Sequence, residues 1–146
     1  MNEHPRLSLL LVTVQVGALL ALAATGPLLA PPGLLLAIEL CGIALGLWAI
    51  AAVRLRDLRI RPEVRSERLV THGPYRWIRH PMYTALLLLT LPLIIAAPTL
   101  PRCVIEALLL LDLVLKLRYE ERLLHAHFSN YAAYARRTWR VIPGLY

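Results

Sequence analysis

Four long apolar runs divide the chain, and they constrain its fold more than any other feature. The runs cover Leu7–Leu29, Gly33–Val53, Met82–Ala97 and Arg102–Leu117. At about 1.5 Å of rise per residue, a helix over either of the first two runs spans a hydrocarbon core about 30 Å thick. A helix over either of the last two runs spans about 24 Å, which is short for a bilayer. Because 58% of the 146 residues are hydrophobic and only 17% are charged, we predict an all-α integral membrane protein with four transmembrane helices.

Arginines are concentrated between the runs on one side of the predicted membrane. Eight arginines lie between the second and third runs, and five more follow the fourth run, whereas the opposite connections, 30–32 and 98–101, carry no charge. By the positive-inside rule, we predict one domain with both termini, the loop 54–81 and the C-terminal segment 118–146 in the cytoplasm. This basic surface suits membrane lipids, and we do not expect nucleic-acid binding. The first run also fits a cleavable signal peptide, an alternative that leaves the sidedness unchanged.

Ionisable side chains also lie inside the apolar runs, where an unpaired charge costs several kcal/mol. Four polar residues share one face of the predicted fourth helix: Glu106, Asp112, Lys116 and Glu120. They can line a polar cavity, or they can pair locally at a spacing of four residues, as Arg102 with Glu106 and Asp112 with Lys116. We favour the local pair for Glu106 and leave both interpretations open for Asp112 and Lys116.

Three other residues in the runs carry less information. Glu39 has no partner at helical spacing, and we expect it to be structural. Cys41 and Cys103 lie in apolar runs, so we interpret them as small buried hydrophobic residues. The sequence has no metal-ligand spacing, no phosphate-binding loop and no dinucleotide fingerprint, which excludes a soluble Rossmann-type enzyme and predicts no metal site.

The segment 69–83 holds the densest set of polar and aromatic residues, with two His, two Arg, two Tyr and one Trp. Pro81 suits the first turn of a helix, so Arg79 and His80 are predicted to lie at the N-terminus of the third helix. The helix dipole and free N–H groups there favour an anionic ligand group. An interfacial belt of aromatic residues and arginines is the alternative, but it does not explain the Gly-Pro-Tyr and Arg-His-Pro elements, and we favour a functional site.

A second polar and aromatic segment follows the fourth run. After Glu120 and Glu121, apolar and aromatic residues recur at steps of three and four, which predicts an amphipathic C-terminal helix against the membrane or over the site. Because the third and fourth runs form an antiparallel pair, His80 and Glu120 are predicted to lie at the same membrane face. The groups gathered there suit S-adenosylmethionine, and they also suit a nucleotide or a lipid headgroup.

These residues together resemble a known family. The elements are Gly73-Pro74-Tyr75, Arg79-His80-Pro81-x-Tyr83, Glu120-Glu121, Tyr131-x-x-Tyr134 and Ile142-Pro143. They resemble the isoprenylcysteine carboxyl methyltransferase family, and phospholipid N-methyltransferases share the Arg-His-Pro and Glu-Glu elements. The resemblance covers about half of the chain. It implies an integral membrane enzyme of the bacterial inner (plasma) membrane that methylates a lipophilic or lipid-like acceptor with S-adenosylmethionine from the cytosol.

The resemblance also implies roles for individual residues. Arg79 and Glu121 would lie nearest the transferred methyl group and the acceptor, as the catalytic residues. The implied cofactor-binding residues are Tyr75, His80, Pro81, Tyr83, Glu120 and Glu121.

The acceptor and the oligomeric state stay open. The chain has Ser129-Asn130 where the family commonly has Phe-Gly, and it has fewer spans than the eukaryotic members. The acceptor group can therefore be a carboxylate, an amine or a thiol, and a phospholipid N-methyltransferase or small-thiol S-methyltransferase on the same scaffold is the alternative. A non-catalytic membrane ligand-binding module is the alternative from another class.

Overall fold

The computed structural model describes residues 5–53 and 69–144 and shows an all-helical protein. A 3-10 turn, Gly73–Arg76, precedes the third helix. The described residues form no β-strand, so the predicted all-α class is confirmed. The predicted loop arginines between 54 and 68 lie outside the described residues. The α-helices are α1 (Pro5–Ala24), α2 (Leu34–Ala52), α3 (Pro81–Ala96), α4 (Leu100–His127) and α5 (Tyr131–Ala135).

Two of these helices are long and apolar enough to cross a membrane. They are α1, over Arg6–Ala24, and α2, while α3 is apolar but shorter. α1 ends at Ala24, before the end of the first apolar run, and α4 continues to His127, well beyond the fourth run. The first two predicted spans therefore have matching apolar helices, and a four-span topology stays a prediction.

The helices pack as two neighbouring pairs, α2 along α3 and α1 along α4. The first pair is close at Gly42, where an added Cβ atom would lie 2.8 Å from the Leu88 Cβ atom and 3.0 Å from the Ala85 carbonyl oxygen. Small residues permit this kind of backbone approach between apolar helices. Between α1 and α4, Leu22 and Leu109 belong to a buried apolar cluster on which Tyr83 of α3 also packs.

Each end of α3 is positioned by a neighbouring segment: its C-terminal end by the short connection to α4, and its start by the C-terminal segment of the chain. α3 ends at Ala96 and α4 begins at Leu100, which makes them an antiparallel pair. The chain then returns beside the start of α3, where the Arg79 N–H donates to the Trp139 carbonyl at 2.7 Å. The Trp139 N–H in turn donates to the Trp77 carbonyl at 2.9 Å. The start of α3 is therefore enclosed between α4 and the C-terminal segment.

The predicted amphipathic C-terminal helix is wrong in its extent. Residues 118–127 continue α4, and in the rest of the chain that the structure describes, up to residue 144, only the five-residue α5 follows. The break falls at Phe128, which takes an extended conformation with φ −112° and ψ 115°. Ser129 and Asn130 then form a turn, and these are residue types that favour turns over helix interiors.

The local pairing of Arg102 with Glu106 is also wrong. The Glu106 carboxylate accepts a hydrogen bond from the Thr90 hydroxyl of α3 at 2.9 Å, and Arg102 donates to the Leu93 carbonyl at 3.2 Å. Both partners come from the neighbouring helix, which supplies polar groups closer than the next turn of α4. The i,i+4 pair of Asp112 and Lys116 is present, with 3.9 Å between the charged atoms.

The remaining residues of the apolar runs divide between structural and surface positions. The Glu39 carboxylate accepts a hydrogen bond from the Ala30 N–H at 2.8 Å, which supports its structural interpretation because it fixes the α1–α2 connection. The prediction that the cysteines are buried is wrong. Cys41 and Cys103 are free and exposed, and large apolar residues near them on α2 and α4 are exposed as well, so an apolar run does not by itself predict burial.

Candidate functional site

The candidate site lies where the start of α3 meets the last third of α4. His80 directly precedes α3, and its Nδ1 atom lies 3.4 Å from the Glu120 Oε2 atom. One turn further, the Tyr83 hydroxyl donates a hydrogen bond to Glu120 Oε1 at 2.7 Å. The rings of His80 and Tyr83 are stacked, with centroids 5.4 Å apart and 7° between their planes. The expected meeting of His80 and Glu120 is therefore observed, and it follows from the antiparallel packing of α3 and α4.

Glu121 joins three parts of the chain at the same place. Its Oε1 atom accepts a hydrogen bond from Arg79 Nε at 2.8 Å, and its Oε2 atom accepts one from Arg140 Nε at 3.0 Å. Burial alone would raise the pKa of this carboxyl, but the contacts with His80 and Arg79 outweigh it and lower the pKa from 4.5 to about 2. Glu121 is therefore a fixed anion at neutral pH.

Arg79 connects this carboxylate to the C-terminal segment. Its side chain is only 8% exposed. Its Nη1 atom donates to the Ala135 carbonyl at 2.7 Å and also to the Thr138 carbonyl. A guanidinium can bond several planar acceptors at once, which a lysine ammonium cannot do in this fork geometry. The residue predicted to hold the acceptor is therefore already engaged with Glu121 and with two backbone carbonyls.

The C-terminal segment is held to the start of α3 by further hydrogen bonds. The Thr84 hydroxyl donates to the Val141 carbonyl at 2.7 Å, and the Tyr134 hydroxyl donates to the Tyr75 carbonyl at 2.7 Å. Thr84, Thr138 and Arg140 belong to this site but were not predicted from the sequence. Their partners across the site are distant in sequence, so no helical spacing could reveal them. The available signal was their position, since Thr84 directly follows Tyr83 and the other two lie just before the Ile142-Pro143 element.

His80 is held between the two carboxylates. Burial lowers the pKa of its imidazole, but Glu120 and Glu121 outweigh that effect, so the pKa is raised above its ordinary 6.5. The Nε2 atom is buried, lies 3.6 Å from Glu121 Oε1 and has no hydrogen-bond partner among the described residues. Buried polar atoms without a hydrogen-bond partner are few in native structures, and the charged group beside this one is the Glu121 carboxylate.

The other two predicted cofactor residues lie beside these groups. Tyr75 belongs to the Gly73–Arg76 turn, where burial and the nearby Glu120 carboxylate raise the pKa of its phenol to about 12. It is therefore a neutral hydrogen-bonding group at physiological pH. Pro81 occupies the first turn of α3 and is fully buried. It sets the direction of His80 and offers no polar group of its own.

The groups at the site fit the chemistry of S-adenosylmethionine. The Glu120 side chain is 24% exposed and offers a carboxylate to an ammonium or a diol. The stacked His80 and Tyr83 rings offer an aromatic surface to a planar base. The Tyr75 phenol adds a neutral hydrogen-bonding group. Charge, aromatic surface and hydrogen-bonding groups are thus present within one cluster.

Comparison with known proteins identifies one family. The model of the phospholipid methyltransferase family matches residues 33–131, which is more than half of the chain. The matched range includes His80, Tyr83, Glu120 and Glu121, and it ends at Tyr131, before the segment that returns to α3. Neither the curated proteins nor the solved structures gave a significant match to the chain.

Proposed function

Since the chain belongs to the phospholipid methyltransferase family, which the isoprenylcysteine carboxyl methyltransferases share, we propose that it methylates a lipophilic acceptor with S-adenosylmethionine. The observation that carries this proposal is the convergence of His80, Tyr83 and Glu120 at the junction of α3 and α4. These groups contact one another, and the Glu120 side chain is still partly exposed, while Tyr83 also packs on the apolar cluster between α1 and α4.

We propose that the cofactor is held by the exposed part of Glu120, the stacked rings of His80 and Tyr83, and the Tyr75 phenol. When bound, S-adenosylmethionine supplies a methyl group activated by its sulfonium. The chain's own residues then have to orient the reacting groups and exclude water. The hydrogen bonds from Arg79, Thr84 and Tyr134 hold the C-terminal segment over this junction, which serves both needs.

The charge states at the site support an acceptor that needs no general base. With a pKa of about 2, Glu121 is a poor proton acceptor, and the phenols of Tyr75 and Tyr131, both with raised pKa values, stay neutral. A carboxylate acceptor is already deprotonated at neutral pH. We therefore propose that the methyl acceptor is a lipophilic carboxylic acid. Methyl transfer to lipophilic acids, amines and thiols, measured side by side, tests this choice.

We also propose the arrangement of the chain in the membrane. Four spans, formed by α1 to α4, would place both termini and the junction of α3 and α4 at the cytoplasmic face of the bacterial inner membrane. The support comes from the apolar helices and from the arginine-poor connections at 30–32 and 98–101.

The proposed function is tested by cofactor binding to the Glu120→Gln variant. Isothermal titration of the purified protein in detergent with S-adenosylmethionine and its demethylated product should give binding to the wild type. Replacing the charge removes a hydrogen bond to a charged group, which should weaken affinity roughly ten- to a hundredfold.

Glu106→Gln is the matched control, because it changes the same residue type on the same helix, far from the junction. The Thr90 hydroxyl can still donate to the new amide oxygen, so affinity should stay at the wild-type value. If the wild type binds neither compound at millimolar concentration, the non-catalytic module is the better explanation. If both variants bind as the wild type does, Glu120 is no cofactor ligand.

Arg79 is tested separately, because we propose that it acts on the acceptor and on the C-terminal segment. Arg79→Lys keeps the charge but cannot bond Glu121 and the carbonyls of Ala135 and Thr138 together. We expect turnover to fall at least tenfold while cofactor affinity stays within about twofold, a split between turnover and binding typical of lost positioning. Loss of both together would make Arg79 a cofactor ligand.

A further inference from the structure

A cavity lies beside the junction of α3 and α4, between the Gly73–Arg76 turn and α5. Its volume is about 580 Å³, within the range of small-molecule sites. Neither His80, Tyr83 nor the two glutamates line it. Tyr134 forms part of its wall and also donates to the Tyr75 carbonyl, so the cavity has a fixed position relative to the turn.

The charged residues that line this cavity are all cationic. Arg76 comes from the turn and Arg137 from the segment after α5, so two separate parts of the chain each contribute one cation to the wall. No aspartate or glutamate is among the described residues of the wall. Neither arginine forms an ion pair with a carboxylate in the described part of the chain, although Arg76 lies 5.9 Å from the Trp77 ring. The pair is therefore available to an anion.

The neutral wall residues add hydrogen-bonding groups. Thr71, Asn130 and Thr138 supply hydroxyl and amide groups, and Trp77 supplies an indole that is about half exposed. Guanidinium groups bind phosphate oxygens through paired hydrogen bonds, and two of them suit a group with several acceptor oxygens and up to two negative charges. Under the proposed topology the cavity lies at headgroup level, where tryptophan and basic pockets are common.

We propose that this cavity is a phosphate-binding site, with Arg76 and Arg137 as its principal ligands. The phosphate group can belong to a membrane phospholipid or to a soluble phosphate ester, and the chemistry of recognition is the same for both. An interfacial belt of arginine and tryptophan would contact lipid without forming a cavity, whereas here both arginines line the same one. This inference does not depend on the methyl-transfer reaction.

The test is isothermal titration of the purified protein in neutral detergent with two probes, inorganic phosphate and a short-chain phosphatidic acid. The Arg76→Gln/Arg137→Gln double variant should lose roughly ten- to a hundredfold in affinity for whichever probe binds. The matched control is Arg122→Gln/Arg136→Gln, which removes the same charge from two exposed arginines outside the cavity wall. The control should bind within about twofold of the wild type.

The two probes identify the source of the phosphate. Binding of both supports a site for the phosphate group itself, and binding of phosphatidic acid alone supports a lipid headgroup site. Failure of both probes to bind the wild type would overturn the proposal. An equal loss in the control variant would also overturn it, because the attraction would then come from the general basic surface. Loss of S-adenosylmethionine affinity in the cavity variant, with no phosphate binding to the wild type, would assign the cavity to the cofactor instead.

Discussion

Two groups of buried charges on α4 differ in how their polar atoms are satisfied. The junction cluster consists of Glu120 and Glu121 with their partners Arg79, His80 and Arg140. Its arginine–carboxylate contacts measure 2.8 and 3.0 Å. The central row consists of Arg102, Glu106, Asp112 and Lys116, nearer the start of α4. There, both Asp112 oxygens, one Glu106 oxygen and two Arg102 nitrogens are buried without a hydrogen-bond partner among the described residues, whereas in the junction cluster this holds for His80 Nε2 alone.

This contrast separates buried charges that stabilise the fold from buried charges that destabilise it. A buried charge is favourable only when its partners replace the hydrogen bonds that it gave up in water. Glu121 meets that condition through Arg79 and Arg140. Asp112 does not, because its ion pair with Lys116 is 3.9 Å long and neither carboxylate oxygen is hydrogen bonded. The stability of the C-terminal half should therefore depend on the junction cluster far more than on the central row.

The largest effect is expected from Glu121→Gln. The amide keeps the size of the side chain but leaves Arg79 without its anion at a site where the carboxylate is only 11% exposed. Removing one member of a buried ion pair destabilises a protein by about 3–5 kcal/mol. Denaturant or thermal unfolding in detergent should show this loss. Glu106→Gln, whose carbonyl can still accept from Thr90, should change the free energy of unfolding by less than about 1 kcal/mol. Equal effects of the two substitutions would remove the contrast between the two groups.

The free energy of unfolding should decrease at both low and high pH, and residues of the junction cluster should cause both decreases. The pKa of Glu121 is lowered in the folded state, so its contribution is complete above about pH 4.5 and is lost as pH falls towards 2. The pKa of His80 is raised, so its contribution is complete below about pH 6.5 and is lost as pH rises through the folded-state value. Stability should be greatest between these limits.

Unfolding measured from pH 3 to 9 checks this expectation with His80→Gln as the discriminating variant. The variant has no imidazole to titrate, so the decline at high pH should disappear while the decline at low pH remains. A wild-type profile without a decline above pH 6.5 would contradict the assigned charge state of His80.

Features of the two charge groups that depend on residues close in sequence could be predicted from the sequence. Pro81 begins α3, and the short α3–α4 connection brings His80 to Glu120, as the antiparallel arrangement required. Helical spacing also gave the Asp112–Lys116 pair as one of two open interpretations, and the pair is present. These features follow from residue type and helix geometry alone, so no tertiary information was needed to predict them.

The parts that sequence reasoning missed depend on tertiary contacts. Arg140 reaches Glu121 from a segment with no helical periodicity, and the Thr84 hydroxyl bonds Val141 across 57 residues. Glu106 was assigned a partner on its own helix because i,i+4 spacing is visible in a sequence. Thr90 on α3 is the actual partner, and it becomes visible only when the register between α3 and α4 is known. Local spacing therefore identifies possible pairs, and the packing of helices selects among them.

A small net effect is expected when both charges of the central pair are replaced. The Asp112→Leu/Lys116→Met variant removes a long ion pair and two unbonded buried oxygens, and such replacements are often neutral or stabilising. It also removes the hydrogen bond from Lys116 Nζ to Gln15 Oε1, which offsets part of that gain, so the free energy of unfolding should change by less than about 1 kcal/mol. Lys116→Met alone should be destabilising, because it leaves the Asp112 carboxylate without a cation. Unfolding of the two single variants and the double variant forms a double-mutant cycle that isolates the pair. A double variant as unstable as Glu121→Gln would show that the row stabilises the fold. A stable double variant that binds cofactor normally but no longer transfers a methyl group would show instead that the row lines the path of the acceptor, and that its unsatisfied atoms are retained for binding.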